Sequence, residues 1–297
     1  MNKFLYHIFK YGLLVFALLN TISWCSLYFL RNSSFYKPQF LTHEVKKSNF
    51  DYIIIGSSIG LTSLNTVLID SLTNKKGLNL SIDDTAISSN YLMLQHFFNQ
   101  GKKTKFCVLS ISYWDLANKN PVLNNNDYRF LPFVSNDYVF NYYKSLEQGY
   151  FKPLTISHYL PLFGVGYYNS EIFYPSIICA INPNFRNRFD ENGNYSYPNN
   201  GIVKFKKYNS ITLTWNNPFV KKIKKLCDKN ATTLLIYQSP TYKTKIINTN
   251  KNYNFINNAN LLLNDSYFFD EIHLNQNGRR EASTIFAFEL NKNYFNK

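Results

Sequence analysis

The stretch DYIIIGSSIG, residues 51–60, carries an aliphatic run into a glycine and two serines, Ser57 and Ser58. A serine at a helix start lies beside free backbone amides and the positive end of the dipole, which suits a nucleophile whose attack creates an oxyanion. Far along the chain, YFFDEIHLNQNGRREAS, residues 267–283, places Asp270 three positions before His273. At that spacing a turn can bring the carboxylate to one imidazole nitrogen, so that the other can take a proton from a serine hydroxyl. These are the parts of a Ser–His–Asp acyl-transfer centre. Each motif also has a plainer reading, a helix cap for Gly-Ser-Ser and a surface turn for Asp-x-x-His. Their order, at the two ends of one alternating pattern, is what joins them.

The elements that must position these residues alternate between strand and helix. DYIIIG reads as a fully buried strand, and SSIGLTSLNTVLIDSLTNKKG as one helix ending near Gly77. LNLSIDD is a second strand, NYLMLQHFFNQGKK a second helix and KFCVLSIS a third strand. After a long interval come a helix through KKIKKLCDKN, the strand TTLLIYQS, a loop, a helix near NYNFINNANLLL and a last helix in GRREASTIFAFELNK. Strands separated by single helices require crossovers, hence an α/β fold with a central parallel sheet and helices on its faces. In such a sheet ligands bind beyond the carboxyl ends of the strands, where Ser58 would lie.

Residues from about 113 to 210 break the rhythm and hold most of the prolines, many glycines and a dense set of aromatics. This interval is expected to be an irregular insertion with a few short helices. It either covers a site or contacts membrane or sugar, or is an excursion packed by its own tyrosines.

The pair GSS after the first strand and DEIHLNQNGRREAS before the last helix resembles the SGNH (GDSL-type) hydrolase superfamily. The resemblance is to its membrane-anchored branch, which includes the D-alanine transfer protein of teichoic-acid systems and polysaccharide O-acetylation proteins. It spans residues 51 to about 290 and implies a flavodoxin-like three-layer sandwich. Carried over, Ser58 is the nucleophile, His273 the base and Asp270 its orienter, while Ser57 takes the place of the family's aspartate and can cap or brace the turn. The middle departs from the family. Its second block supplies a glycine amide to the oxyanion hole, yet DDTAISSNY has no glycine, so Ser88 or Ser89 would have to serve through its backbone. Its third block is normally Gly-x-Asn-Asp; here SYWD offers Ser112, Trp114 and Asp115 and lacks the asparagine. Losing one oxyanion donor can cost about 100-fold or more in rate. Ser112 and Trp114 could still line a sugar-binding cleft.

From Tyr11 to Leu30 the chain has no charge for 20 residues, enough for a helix to span the hydrocarbon core. The stretch is long and no small-x-small site closes it, so it reads as an uncleaved anchor rather than a signal peptide. Trp24 before Cys25 argues against a lipoprotein. The expected organisation is a short tail (1–10), the anchor (11–30), a polar linker (31–49) and one α/β domain (50–297). Positive charges on the two sides do not decide orientation. A ten-residue tail before a single span usually stays inside, which would put the bulk outside the cytoplasm.

The net charge of +14 invites a nucleic-acid reading, but the lysines are scattered in short groups with no zinc spacing or RNA-binding aromatic signature. In NPFVKKIKKLCDK, residues Phe219, Val220, Ile223, Leu226 and Cys227 mark an apolar helical face and the lysines a solvated one. The four cysteines form no CxxC pair, and Cys107 reads as a small buried hydrophobe.

The leading expectation is a membrane-anchored, serine-dependent acyl (O-acetyl) transferase or esterase acting through an acyl-serine on a cell-surface or extracellular polysaccharide. It would need no cofactor and no metal. Its partners would be an extracellular glycan or anionic surface polymer, the membrane, and a membrane-bound acyl-donor protein, with no nucleic acid. The alternative is a catalytically weak or inactive scaffold or glycan-binding component of a surface-polymer assembly machine.

Overall fold

The computed structural model describes residues 2–201, 207–261 and 264–295. In chain order the elements begin with α1 (Asn2–Arg31), α2 (Lys37–His43), β1 (Asn49–Gly56), α3 (Ser58–Ser63), α4 (Thr66–Thr73), β2 (Gly77–Asn79), α5 (Ile87–Asn99), β3 (Lys103–Ile111) and α6 (Tyr113–Leu116). There follow α7 (Asp137–Leu146), α8 (Pro153–Ile156), α9 (Leu162–Tyr167), α10 (Tyr174–Ile181) and β4 (Asn209–Thr212). The chain continues with α11 (Pro218–Lys229), β5 (Thr233–Gln238), β6 (Thr244–Ile247), β7 (Asn254–Asn257) and α12 (Gln276–Leu290). They gather into two compact units, Met1–Lys46 with Asp127–Asn187, and Lys47–Asn126 with Arg188–Lys297.

The second unit is α/β. Among the described residues its main sheet has five strands in the order β2-β1-β3-β5-β7, all parallel. Ile53, Ile54 and Ile55 are fully buried, as a strand covered on both faces requires. Alternation along β1 sends Tyr52 and Ile54 to one face, where they meet Leu64, Ile69, Phe286 and Leu290 beneath α4 and α12. On the other side α5 packs on β1 and β3, α11 on β5, and α5 and α11 on each other. The apolar stripe of α11 behaves as its spacing implies. Phe219, Val220, Ile223 and Cys227 are buried, Leu226 is half-buried, and Lys221, Lys222 and Lys225 face solvent.

Four elements differ from expectation. The single helix over 57–77 is two, because the chain breaks at Leu64 and Asn65. α12 satisfies the break: Arg279 Nε and Nη2 donate to Leu64 O (3.3 and 3.2 Å), and Asn65 N donates to Ser283 Oγ (2.8 Å). Asn65 Oδ1 then caps α4 through Val67 N (3.1 Å). The second strand stops at Asn79, whose Oδ1 takes Ser81 N into a turn at 3.0 Å. The run near NYNFINNANLLL is not a helix where described. It forms β7, in register with β5, and Ile256 reaches the core; Leu262 and Leu263 lie outside the described residues. The loop after β5 contributes β6, which pairs in parallel with β4 as a second, two-stranded sheet. Of the lysine groups, KFKK falls largely outside the described residues.

The first unit is built on α1, whose segment Lys3–Arg31 is long and apolar enough to cross a membrane. α9 and α10 pack on its carboxyl-terminal half. The stretch expected as a linker forms α2 here, and residues 33–41 are buried. Aromatic hydroxyls tie the rest together. Tyr36 donates to Glu171 O (2.7 Å), and Tyr142 and Tyr143 donate to Asp127 Oδ2 and O (both 2.8 Å). The expected insertion is therefore divided: residues 127–187 cluster with α1, and its two flanks with the sheet.

Candidate active site

Because the main sheet is parallel, the carboxyl ends of its strands share one edge. β1 ends there at Gly56, and Ser58 opens α3 directly beyond. α3 lies close against the sheet, since a Cβ on Gly60 would come within 2.7 Å of Ser81 Oγ and 2.9 Å of Ser110 Cβ. Ser57 precedes the helix in extended conformation, and its side chain makes no capping bond. The expected cap is absent, and the first-turn amides of α3 are left without a capping side chain.

The other half is a self-contained turn. Asp270 Oδ1 accepts from the amides of Ile272 (2.9 Å) and His273 (2.8 Å), which turns Oδ2 toward His273 Nδ1 at 2.8 Å. His273 Nε2 lies 2.8 Å from Ser58 Oγ, across 215 positions of sequence. With Nδ1–H donating to the carboxylate, Nε2 is the acceptor for the serine proton. The turn is held on both sides. Phe269 N donates to His273 O (2.9 Å), and Asn275 N donates to Tyr267 O (3.1 Å). Asn275 Oδ1 caps α12 through Gly278 N (3.0 Å) while its Nδ2 donates to Ser266 O (2.7 Å). Tyr197 stacks on Phe269 at 4.3 Å between ring centroids and meets the His273 ring at 5.3 Å, 61° between planes.

Partial burial alone would raise the Asp270 carboxyl. The hydrogen bonds from His273 and from the backbone of Ile272 and His273 outweigh it and hold the group below its ordinary value. His273 is largely shielded, with 13% of its side chain exposed. Nearby, burial pushes the Asp115 carboxyl up to about 6, opposed by one bond from Ile87 N at 2.6 Å.

Ser58 and His273 open into a cleft of about 610 Å³, which Ser57, Ser112, Trp114 and Asp115 also line. The structure thus brings Ser58, Asp270, His273, Ser112 and Trp114 to one place. Ser88 and Ser89 do not line this cleft. They lie buried in the first turn of α5, and Asn124 Nδ2 donates to their hydroxyls at 3.1 and 2.9 Å. The loop that does reach the cleft comes just before them: Asp84, Thr85 and Ala86. Asp84 has φ 54°, the left-handed conformation that glycine favours and aspartate tolerates. Asn118, from the turn after α6, lines the cleft as well, and its Oδ1 accepts from Asn120 N (3.0 Å). Sequence reasoning missed Asn118, Asp84 and Tyr197. The pair Asp83-Asp84 before Thr85 is a turn signal that could have found the loop; Tyr197 carries no local signal.

Compared with family models and with curated proteins, the chain matches none. The geometry stands on its own: a hydroxyl, an imidazole and a carboxylate in one hydrogen-bonded line, at the mouth of a polar cleft, can activate an oxygen nucleophile.

Proposed function

We propose that this chain is a membrane-anchored, serine-dependent acyl transferase or esterase that acts outside the cytoplasm on a cell-surface polysaccharide. The observation that carries the reading is the continuous line Asp270–His273–Ser58, with both contacts at 2.8 Å. The fold is read as SGNH-hydrolase-like and three-layered. Counting only the main sheet, its strand order is 2-1-3-4-5, the flavodoxin-like order. His273 takes the Ser58 proton as Oγ attacks the ester carbonyl, and returns it to the departing alcohol, leaving an acyl-serine. A sugar hydroxyl or water, deprotonated by the same imidazole, then takes the acyl group and regenerates Ser58. The first-turn amides of α3 and the Asn118 side chain are the donors suited to the oxyanion. Trp114, exposed in the cleft, offers a face on which a sugar ring can stack. The acyl group is read as acetyl.

A second reading, a non-catalytic scaffold or glycan-binding component, is favoured by one observation: Ser88 and Ser89, expected to replace the missing glycine amide, are not among the residues that line the cleft. A serine-directed fluorophosphonate separates the two. The enzyme reading expects labelling of the wild type, none of Ser58→Ala, and loss of acylation when surface polysaccharide from cells carrying that variant is weighed by mass spectrometry. Labelling that persists in the variant, or unchanged polysaccharide, defeats it.

A further inference from the structure

The chain holds 32 lysines and arginines in 297 residues, yet between Lys152 and Arg186 there are none, and Glu171 is the sole acidic residue. That interval contains α8, α9 and α10. It leaves large apolar side chains in solvent, among them Tyr159, Tyr167, Tyr174, Ile177 and, 83% exposed, Ile181. A monomeric soluble surface rarely gathers so many.

The same elements pack on α1, and the depth of that contact follows from arithmetic. Along α1 the residues from Lys3 to Leu19 are all exposed, and burial begins at Asn20 and Ser23. Those 17 bare residues measure ~25 Å at 1.5 Å each. A bilayer core needs about 30 Å, or about 20 residues. Started after Lys10, the core would reach Leu30; started after Lys3, it would reach Ser23. Either placement holds Asn20 inside it. Asn20 Oδ1 accepts from the amide of Leu162, the first residue of α9, at 3.2 Å. This is one of the helix-start amides with no intrahelical partner, and in hydrocarbon such a group must be satisfied within the protein. The one amide side chain in the anchor's charge-free stretch supplies that partner.

We propose that α9 and α10, with the π-helix Asn169–Phe173 between them, sink beside α1 into the acyl-chain and headgroup boundary of the bilayer. The protein is then held by a collar as well as by a span. Tyrosines and isoleucines on short helices suit that boundary, where an amphipathic ring lies with its hydroxyl toward water. α9 has six residues, and α10 has eight and follows directly on the five-residue π-helix Asn169–Phe173, so neither run is long enough to cross the core itself. The inference rests on α1 spanning the membrane, and the experiment separates the two.

In a cysteine-free version of the full chain, single nitroxide labels are placed at Leu18→Cys, Ile177→Cys, Ile181→Cys and Lys144→Cys, and the protein is reconstituted in phosphatidylcholine vesicles. Labels at 18, 177 and 181 are expected to collide several-fold more with oxygen than with a water-soluble nickel chelate, and the label at 144 the reverse. If 18 is in lipid while 177 and 181 behave as 144, the collar is refuted and the span survives. If 18 also behaves as 144, the span itself fails and the collar with it. Shielding of 177 and 181 from both reagents means a protein contact and overturns the proposal. Should the cysteine-free chain not fold, Ile181→Trp with the native cysteines reads the same depth: bromolipids must quench the added fluorescence, and no quenching refutes the collar.

Discussion

At the scale of single residues, the site rests on one division of labour within Asp270. One carboxylate oxygen builds the turn and the other aims the imidazole, so the residue can be tested for the second role while the first is kept. Asp270→Asn can still accept the amides of Ile272 and His273 but cannot hold the imidazole as a carboxylate does. Turnover of an activated ester is expected to fall about 1,000- to 10,000-fold while the thermal midpoint changes little. Asp115 makes a prediction of opposite electrostatic sign. Its ordinary carboxyl value of 3.8 is raised to about 6 by burial, so the folded state keeps a proton that the unfolded chain has lost. Its contribution to stability is complete below pH 3.8 and declines as pH rises through about 6. Asp270 acts in a separate window, losing its contribution only as pH falls below 3.8. Asp70 and Glu289 are also raised by burial, so the wild type minus Asp115→Asn is the informative comparison. Urea midpoints of the variant are expected to decline less than those of the wild type between pH 4 and pH 7. The members of the Asp270–His273–Ser58 line were legible in the sequence because Asp-x-x-His is a local turn and Gly-Ser-Ser a local strand end. That Ser88 and Ser89 do not line the cleft was not legible, because a helix's rotation about its axis is set by what it packs on.

Elements place Ser58 through the closeness of α3 to the sheet. Gly60→Ala would put a methyl carbon within 3 Å of both Ser81 and Ser110. Overpacking of this kind costs about 1–3 kcal/mol. The denaturant midpoint should fall accordingly, and acyl-serine formation should slow because the helix start must shift. Adding Ser81→Ala should restore little, since the Ser110 contact at 2.9 Å remains. The break between α3 and α4 shows why the sequence pattern was incomplete here. SSIGLTSLNTVLID has no proline and keeps a helical period, and it is distant partners, Arg279 and Ser283 more than 200 positions away among them, that make an interruption at Leu64 cheap. β7 was misread for a similar reason. Its few residues gain strand character from the edge of β5 that they complete.

For the molecule as a whole, the reading of α1 as an anchor makes orientation testable. An alkaline phosphatase fused after Lys297 is expected to be active, as it is only when exported, and a fluorescent protein at the same place dark. The reverse pattern would put the serine centre in the cytoplasm and remove the extracellular polysaccharide as its substrate. The first unit changes how the chain is divided. A segment with the composition of an irregular insertion is, over residues 127–187, the packing partner of the amino-terminal helix. The paucity of charge between Lys152 and Arg186 is visible in the sequence; the attachment of that interval to α1 is not.

By itself the sequence determined the α/β character, an amino-terminal helix long and apolar enough to cross a membrane, and the three residues Ser58, Asp270 and His273 that come together in one hydrogen-bonded line, because each is written in a short period or a short spacing. Tertiary structure alone decided that Ser58 and His273 meet, that Ser88 and Ser89 face Asn124, and that Asn20 serves Leu162. The physical reason is common to all three. Local patterns select a backbone conformation, whereas the partner that satisfies a buried hydroxyl or amide is chosen by whichever distant segment the fold carries to it.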